Sequence, residues 1–278
     1  MKKSQRKFIN RIINKLYAIS KSDKLRLSCL NIATKLFKNP NNSITFDNEN
    51  NWYWLKSGSR FLKLTKAPYF DFSEKDMRQR CLNIFFKHYQ LQPDDVVIAI
   101  GAGIGMEICF FQEGVGDQGK LYNIEASPSS FYGLQQTTKK NKFTNCFNFN
   151  IAISDVNEPI WMEEGDNYIL NSVNKNGKGT RVEGLTLDAF VSQNNIEKIN
   201  LLKVNIEGAE YDMIEGMQEA INIIDNIAVS CHDFLFDNGE KIKNKMTTFL
   251  EANNFELFYV NSGNKVLDSW IYGKKRSE

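Results

Sequence analysis

The sequence predicts an α/β protein: a mostly parallel sheet with helices on both faces, an antiparallel hairpin at its C-terminal end, and an N-terminal helical and small β extension. Three stretches carry that expectation. In Val96-Val97-Ile98-Ala99-Ile100-Gly101-Ala102-Gly103-Ile104-Gly105, five apolar residues run into three glycines at alternate positions. Strands apolar on both faces belong to parallel sheets covered by helices, and such sheets bind ligands at the carboxyl ends of their strands. The stretch Ile199-Asn200-Leu201-Leu202-Lys203-Val204-Asn205-Ile206-Glu207-Gly208-Ala209-Glu210 is a second buried strand with an acid-rich exit. The third, Asn226-Ile227-Ala228-Val229-Ser230-Cys231, runs into His232-Asp233-Phe234.

With 278 residues, 42% of them hydrophobic and 12% aromatic, the chain can bury a substantial core as one large domain, or as a domain with an extension. No apolar run approaches the roughly 18 to 20 residues of a membrane-spanning helix, and the N-terminus lacks a secretory signal pattern. The expected compartment is the cytoplasm, with a peripheral position at the inner face of the membrane left open by the basic head. Cys29, Cys81, Cys109, Cys146 and Cys231 are odd in number and widely spaced, which argues for packed thiols over a disulfide framework or zinc knuckle. No metal site is expected. The formal net charge of +2 divides unevenly: residues 1–38 carry eleven Lys or Arg and one acid, and the remainder is net acidic.

In the head, Phe8, Ile9, Ile12, Ile13, Leu16 and Tyr17 recur at helical spacing, with Lys7, Arg11, Asn14 and Lys15 on the other side. A basic amphipathic helix of this kind docks on its own body, on a second subunit in a homodimer, or on an anionic membrane surface. A second periodic segment, residues 25–37, ends at the breaker Asn39-Pro40-Asn41-Asn42. Short alternating runs from 43 to 66 predict an antiparallel meander, whose Trp52, Tyr53 and Trp54 are either its own core or a platform for a flat substrate. Ser73 is placed to N-cap a helix over 73–89, with Glu74 and Asp76 favouring the positive end of its dipole.

After the glycines, residues 104–111 are expected as helix, and 119–125 as a strand ending on Glu125. A carboxylate at the end of the second strand, beside the glycine turn, suits the hydroxyls of a ribose. Residues 128–141 read as helix, 146–151 as the third strand, and Asp155, in the loop beyond, as an acceptor for an exocyclic amine. The polar segment 167–179, between short strands at 160–162 and 180–182, reads as a lid or substrate loop. Along the strand from Ile199, Lys203, Asn205 and Glu207 alternate and are expected to project from one face, where burial demands that they pair or hold a ligand. A helix over 208–224 follows. Of the two histidines, His88 reads as structural, whereas His232 sits at a strand end with a neighbouring acid and suits general-base work on a hydroxyl. A helix over 240–253 precedes a hairpin of 255–260 with 266–272.

Position 106 is Met, so the glycines fit G-x-G-x-G and not the dinucleotide pattern G-x-G-x-x-G. In order, Gly101-Ala102-Gly103-Ile104-Gly105, Ile124-Glu125-Ala126-Ser127-Pro128, Thr186-Leu187-Asp188, Lys203-Val204-Asn205-Ile206-Glu207-Gly208-Ala209-Glu210 and Cys231-His232-Asp233-Phe234 resemble the FkbM-type methyltransferases, over residues 80 to 260. The resemblance implies a Rossmann-like, seven-stranded class I methyltransferase domain over 73–278, behind a basic helical and β segment over 1–72. It implies S-adenosylmethionine as cofactor and methyl transfer to a hydroxyl of a sugar, a glycan or a polyketide-like natural product. The cofactor residues carried over are Gly101, Gly103, Gly105, Glu125, Ala126, Asp155 and Asn205; the catalytic ones are His232, Lys203, Glu207 and Asn205.

Two positions depart from the family pattern. Ala99 stands where many members have an acid, which removes one hydrogen bond expected to position the glycine turn, and Asn205 stands where many have Asp. An amide is neither a base nor a good ligand for a divalent cation, so the base role moves to His232. These departures support the alternative of a non-catalytic S-adenosylmethionine-binding module recruited by the basic head. The glycine spacing disfavours an NAD-linked oxidoreductase, and the catalytic part shows no aromatic-rich basic face for nucleic acid.

Overall fold

The structure, a computed structural model, describes residues 3–20, 22–37, 42–50, 52–64, 74–163, 172–174, 179–235 and 241–276. Helices α1 (Lys3–Ser20) and α2 (Asp23–Phe37) lead into an antiparallel meander of β1 (Asn42–Asp47), β2 (Trp52–Ser57) and β3 (Arg60–Leu64). Gly58, at φ 60°, opens the two-residue loop between Ser57 and Arg60, where a hairpin needs a positive φ. Tyr53 and Trp54 are buried in the meander, and half-buried Trp52 carries the Lys63 ammonium 4.1 Å above its ring. The aromatic run is therefore spent largely on packing. Among the described residues, no helix is long and apolar enough to cross a membrane.

Helix α3 (Glu74–Asn83) is shorter than its pattern predicts, and Ser73, its expected cap, lies outside the described residues. Beyond Asn83 the chain runs through turns, and Asp95 ties the segment that leads to the sheet: its Oδ2 accepts from Tyr89 Oη at 2.9 Å and from the Gln92 N–H at 2.8 Å. Then follow β4 (Val96–Ile100), α4 (Ile108–Val115), β5 (Lys120–Ile124), α5 (Pro128–Asn141) and β6 (Cys146–Phe149). Helix α4 starts four residues later than expected, because all three glycines of the preceding turn hold positive φ and cannot open a right-handed helix.

Residues 151–153, expected to finish the third strand, leave the main sheet. They form β7 (Ile151–Ile153), which pairs in a second sheet with β8 (Ile160–Glu163), β9 (Ser172–Asn174) and β10 (Thr180–Leu185), in the order β7-β10-β8-β9. Most of the expected lid, residues 167–171 and 175–178, lies outside the described residues. Then come α6 (Leu187–Gln193), β11 (Leu201–Val204), α7 (Glu210–Met213), β12 (Asn226–Ser230), α8 (Lys241–Ala252), β13 (Phe255–Tyr259), α9 (Lys265–Asp268) and β14 (Trp270–Lys275).

The helix expected over 208–224 is instead α7 followed by two short 3₁₀ turns. Gly216 packs so tightly on the Ser154 carbonyl that a Cβ would lie 2.1 Å from it, and Asp188 captures the Glu219 and Ala220 N–H groups. Both contacts divert the backbone from helical pairing. The second hairpin strand also starts late, because Asn264 caps α9 with its side-chain oxygen.

The main sheet runs β13-β14-β12-β11-β4-β5-β6, parallel from β12 to β6 and antiparallel where β14 enters. The chain order reverses between β4 and β11, which is where such sheets open a ligand crevice. Alternation along each strand feeds two cores. Ile98, Ile100, Leu202 and Val229 face α6 and α8, whereas Val97, Leu201 and Ala228 belong to the core that contains Leu30, Leu62, Phe85 and Phe111. Ile13 of α1 joins this second core, so the head packs one of its faces on the body.

Two asparagines clip the meander in place by imitating a backbone strand. Asn31 Nδ2 donates to the Ile44 carbonyl at 2.9 Å while its Oδ1 accepts the Ile44 N–H at 2.7 Å. Asn141, at the end of α5, does the same to Phe61, with both bonds 2.8 Å. Replacing Asn141 with Ala strands the Phe61 N–H and leaves its carbonyl only the weak Cys109 thiol donor at 3.8 Å, a loss of about 1–3 kcal/mol for each group that stays dry. Hydrogen exchange is expected to accelerate over residues 52–64 while the amides of β4 and β11 stay protected.

Candidate functional site

Four parallel strands deliver the site. Gly101 follows β4, Glu125 follows β5, the turn Asn205–Glu207 follows β11, and His232 lies just beyond β12. All of these line one cavity of about 360 Å³. Its size falls in the range of small-molecule sites, which open at the carboxyl ends of such strands.

The glycine turn is anchored at each residue. The N–H groups of Gly101 and Ala102 donate to the Ile124 carbonyl at 2.9 and 3.0 Å, and the Gly103 N–H donates to Glu125 at 2.7 Å. The other Glu125 oxygen accepts the Ser127 N–H at 2.9 Å, so this carboxylate spans the turn and the start of α5. Gly101 is required twice over: its φ is 73°, and a Cβ would sit 2.0 Å from the Asn205 carbonyl. Gly103 has nothing within 4 Å of its missing Cβ. A ligand can therefore approach that backbone closely, and the residues present fit a nucleoside cofactor.

Lys203 completes the anchoring. It is 1% exposed, and its ammonium donates to the Gly101 carbonyl at 2.7 Å and stands 5.4 Å over the Phe85 ring. Burial, the largest influence, pulls its pKa down, while Glu107 and Glu125 act the other way. Its in-register neighbour on β4 is Ala99. The turn that lacks an acid at position 99 is thus held by a lysine from the next strand. Lys203 and Glu207, which would otherwise neutralise each other, form no ion pair within 4.0 Å.

The exit of β11 is braced by an acid outside the expected site residues. Glu210, fully buried, accepts the Ile206 N–H at 2.9 Å and the Gly208 N–H at 2.8 Å, and its Oε1 lies 2.6 Å from His232 Nδ1. Between the two braced residues, Glu207 holds a φ of 55°, a strained value for a residue with a side chain. Its carboxylate lies 3.5 Å from His232 Nε2. The imidazole therefore stands between two carboxylates. Burial, the largest influence, lowers its pKa, but the hydrogen bond and charge of Glu210 and the charge of Glu207 override it and hold the pKa above the ordinary 6.5. Glu207 is pushed up by burial first, with His232 opposing and Glu210 adding to the rise.

The sequence places Lys203, Asn205 and Glu207 on one strand face; the strand ends at Val204, yet all three line the cavity because the braced turn folds the last two inward. Ala126 lines it as well. Asp155 does not: Ile151, Ala152 and Ile153 of β7 line the cavity, but the chain leaves it after them, and the Asp155 carboxylate accepts from Ser154 Oγ at 2.8 Å. Asp233, the acid next to His232 in sequence, caps α8 by accepting the Ile242 and Lys243 N–H groups. The partner of His232 is Glu210. Asp188 likewise anchors backbone, and His88 stacks on Phe258 at 4.8 Å. Arg80 and Glu107 also reach the cavity, although in sequence they look like ordinary solvated helix charges. Glu210 did leave a signal, an acid directly after a buried strand and its turn.

A seven-stranded sheet in this order, with its last strand reversed, is the architecture of class I methyltransferases. The family model described as "Methyltransferase FkbM domain" matches residues 99–257. The chain belongs to the FkbM methyltransferase family, and S-adenosylmethionine is its expected cofactor. Similar solved structures include a methyltransferase FkbM from Methylobacillus flagellatus KT (14% identity, TM-score 0.47, covering 69% of this chain and 47% of that one). A SAM-dependent methyltransferase from Aquifex aeolicus is 11% identical, with TM-score 0.42 and coverage of 73% and 97%. Fibrillarin from Aeropyrum pernix, with natively bound S-adenosyl-L-methionine, is 10% identical, with TM-score 0.47 and coverage of 83% and 97%. This chain thus spans about half the length of the Methylobacillus protein. No curated protein matches the sequence.

Because the chain has two histidines, their titrations separate cleanly. His232 is expected to titrate above 6.5 in an NMR pH series and His88 below it, the latter lowered by burial first and by Lys87 second. In Glu210→Gln, the His232 midpoint should fall while that of His88 stays in place.

Proposed function

We propose that this protein transfers a methyl group from S-adenosylmethionine to a hydroxyl oxygen of a sugar, a glycan or a polyketide-like small molecule. We place the transferase in residues 73–278, with 1–72 as an accessory segment. One observation carries the reading. An imidazole, oriented through Nδ1 by a buried carboxylate, stands in the same cavity as the glycine turn. Turn, base and brace together support catalysis over a non-catalytic binding module.

Gly101, Gly103 and Gly105 would hold the cofactor by close backbone approach, with Glu125 and Ala126 at its ribose. Carboxylate oxygens accept more than one hydrogen bond each, so Glu125 can receive hydroxyls while keeping its two N–H donors. Asn205 presents its amide to the same space, and Asp155 would reach the ligand only after leaving Ser154. When bound, S-adenosylmethionine supplies a methyl group already activated for transfer.

The remaining work falls to the chain's own residues. Glu210 accepts a hydrogen bond from the His232 Nδ1–H and thereby leaves Nε2 as the basic nitrogen. His232 Nε2 takes the proton of the acceptor hydroxyl, and the imidazolium formed is stabilised by Glu210 on one side and Glu207 on the other. Glu207, in the same cavity, orients the acceptor by accepting from a neighbouring hydroxyl, which leaves the reacting O–H to His232. Lys203 acts on the cofactor turn by holding the Gly101 carbonyl.

Two variants test the assignment. His232→Ala should lower kcat by about 10²- to 10⁴-fold with cofactor affinity unchanged; full turnover at neutral pH would remove His232 as the base. In the unaltered enzyme the rate should rise with pH through a limb above 6.5, since a base with a raised pKa is protonated and idle below it. Lys203→Met strands the Gly101 carbonyl and should weaken cofactor binding by about tenfold or more, read by calorimetry. The acceptor can be sought by mass spectrometry of native glycans with and without the protein, as the mass gain of one methyl in place of hydrogen.

A further inference from the structure

Helix α1 carries two apolar strips where a capping helix needs one. Ile9 and Ile13 face the body, and Ile13 is 5% exposed. The other strip faces outward: Phe8 is 64% exposed, Ile12 42% and Ile19 83%, with Leu16 at 40% along its edge. At 100° per residue, Phe8, Ile12 and Ile19 fall within an arc of about 40°. Lys15, Arg11 and Lys7 follow one another along the flank of that arc, and all three are exposed.

We propose that α1 seats this protein on an anionic lipid surface, with Phe8, Ile12 and Ile19 entering the headgroup boundary and Lys7, Arg11 and Lys15 lying against lipid phosphates. Apolar residues beside a row of cations on one helix match the interfacial class of helix. Charge selects lipid over a second copy of the chain, because pairing two such strips would bring two rows of cations together without a counter-charge. Residues 1–38 hold eleven of the chain's 35 cationic side chains and one of its 33 acids, so the body is net acidic. An anionic surface therefore attracts the head, repels the rest, and orients the molecule head-down. Ile9 and Ile13 keep the helix on its own core meanwhile, so docking requires no release from the body.

The test uses the full chain and sedimentation with vesicles of phosphatidylcholine alone or with phosphatidylglycerol. Binding is expected only to the anionic vesicles and should weaken as salt is raised. A variant carrying Phe8→Ser, Ile12→Ser and Ile19→Ser, and a second carrying Lys7→Glu, Arg11→Glu and Lys15→Glu, should each bind at least about tenfold more weakly. Both should retain the circular dichroism and methyl transfer of the parent, which separates failure of this proposal from failure of the catalytic one. Equal binding to neutral vesicles, or none to anionic ones, overturns the proposal. So does a dimer in sedimentation velocity that the serine variant dissociates, or salt-sensitive capture of RNA in preference to the vesicles.

Discussion

The site depends on one fully buried carboxylate. Glu210 accepts two backbone N–H groups from the turn after β11 and faces the imidazole that follows β12. A carboxylate removed from water is costly unless its oxygens are satisfied, and here three donors do so. The same three bonds fix the Glu207 backbone at a positive φ and set the imidazole orientation. Loss of this one group would relax a strained turn and free the imidazole together.

Two further side chains extend the principle across the sheet. Glu125 ties the exit of β5 to the Gly103 N–H, and Lys203 ties β11 to the Gly101 carbonyl. Four strand ends are thereby joined by three charged side chains. Each uses backbone as its main partner, which keeps the charges of the cavity distinct instead of cancelled in pairs. That separation explains why His232 is held above its ordinary pKa although burial works against it. Two carboxylates face the ring, while the nearby ammonium is committed to a carbonyl.

What the sequence made legible was whatever depends on local pattern. Apolar runs mark β4, β11 and β12, and residues at their carboxyl ends fall in the site because strand direction decides where ends meet. Pattern was blind to choices made between distant segments. Ile151–Ile153 read as the end of a strand but pair with β10, since three apolar residues carry no label for which sheet they join. Asp233 is adjacent to His232 in sequence, yet the chain turns its carboxylate onto α8, while Glu210 arrives from 22 residues earlier. The 208–224 helix failed on a packing contact, Gly216 against Ser154, that no periodicity encodes.

Ala99 and Asn205 take a different meaning in this setting. A carboxylate at position 99 would stand beside the stem of Lys203, its neighbour in the parallel register, and draw the ammonium from the Gly101 carbonyl. With a methyl group there, lysine and turn are coupled directly. A carboxylate at 205 would place a further negative charge in a cavity that already holds Glu107, Glu125 and Glu207. A further negative charge there would push the raised pKa of His232 higher still. An amide fills the same volume without that penalty. The two departures from the family pattern are thus mutually consistent, each preserving a charge balance that leaves Lys203 on the Gly101 carbonyl and adds no further negative charge beside His232.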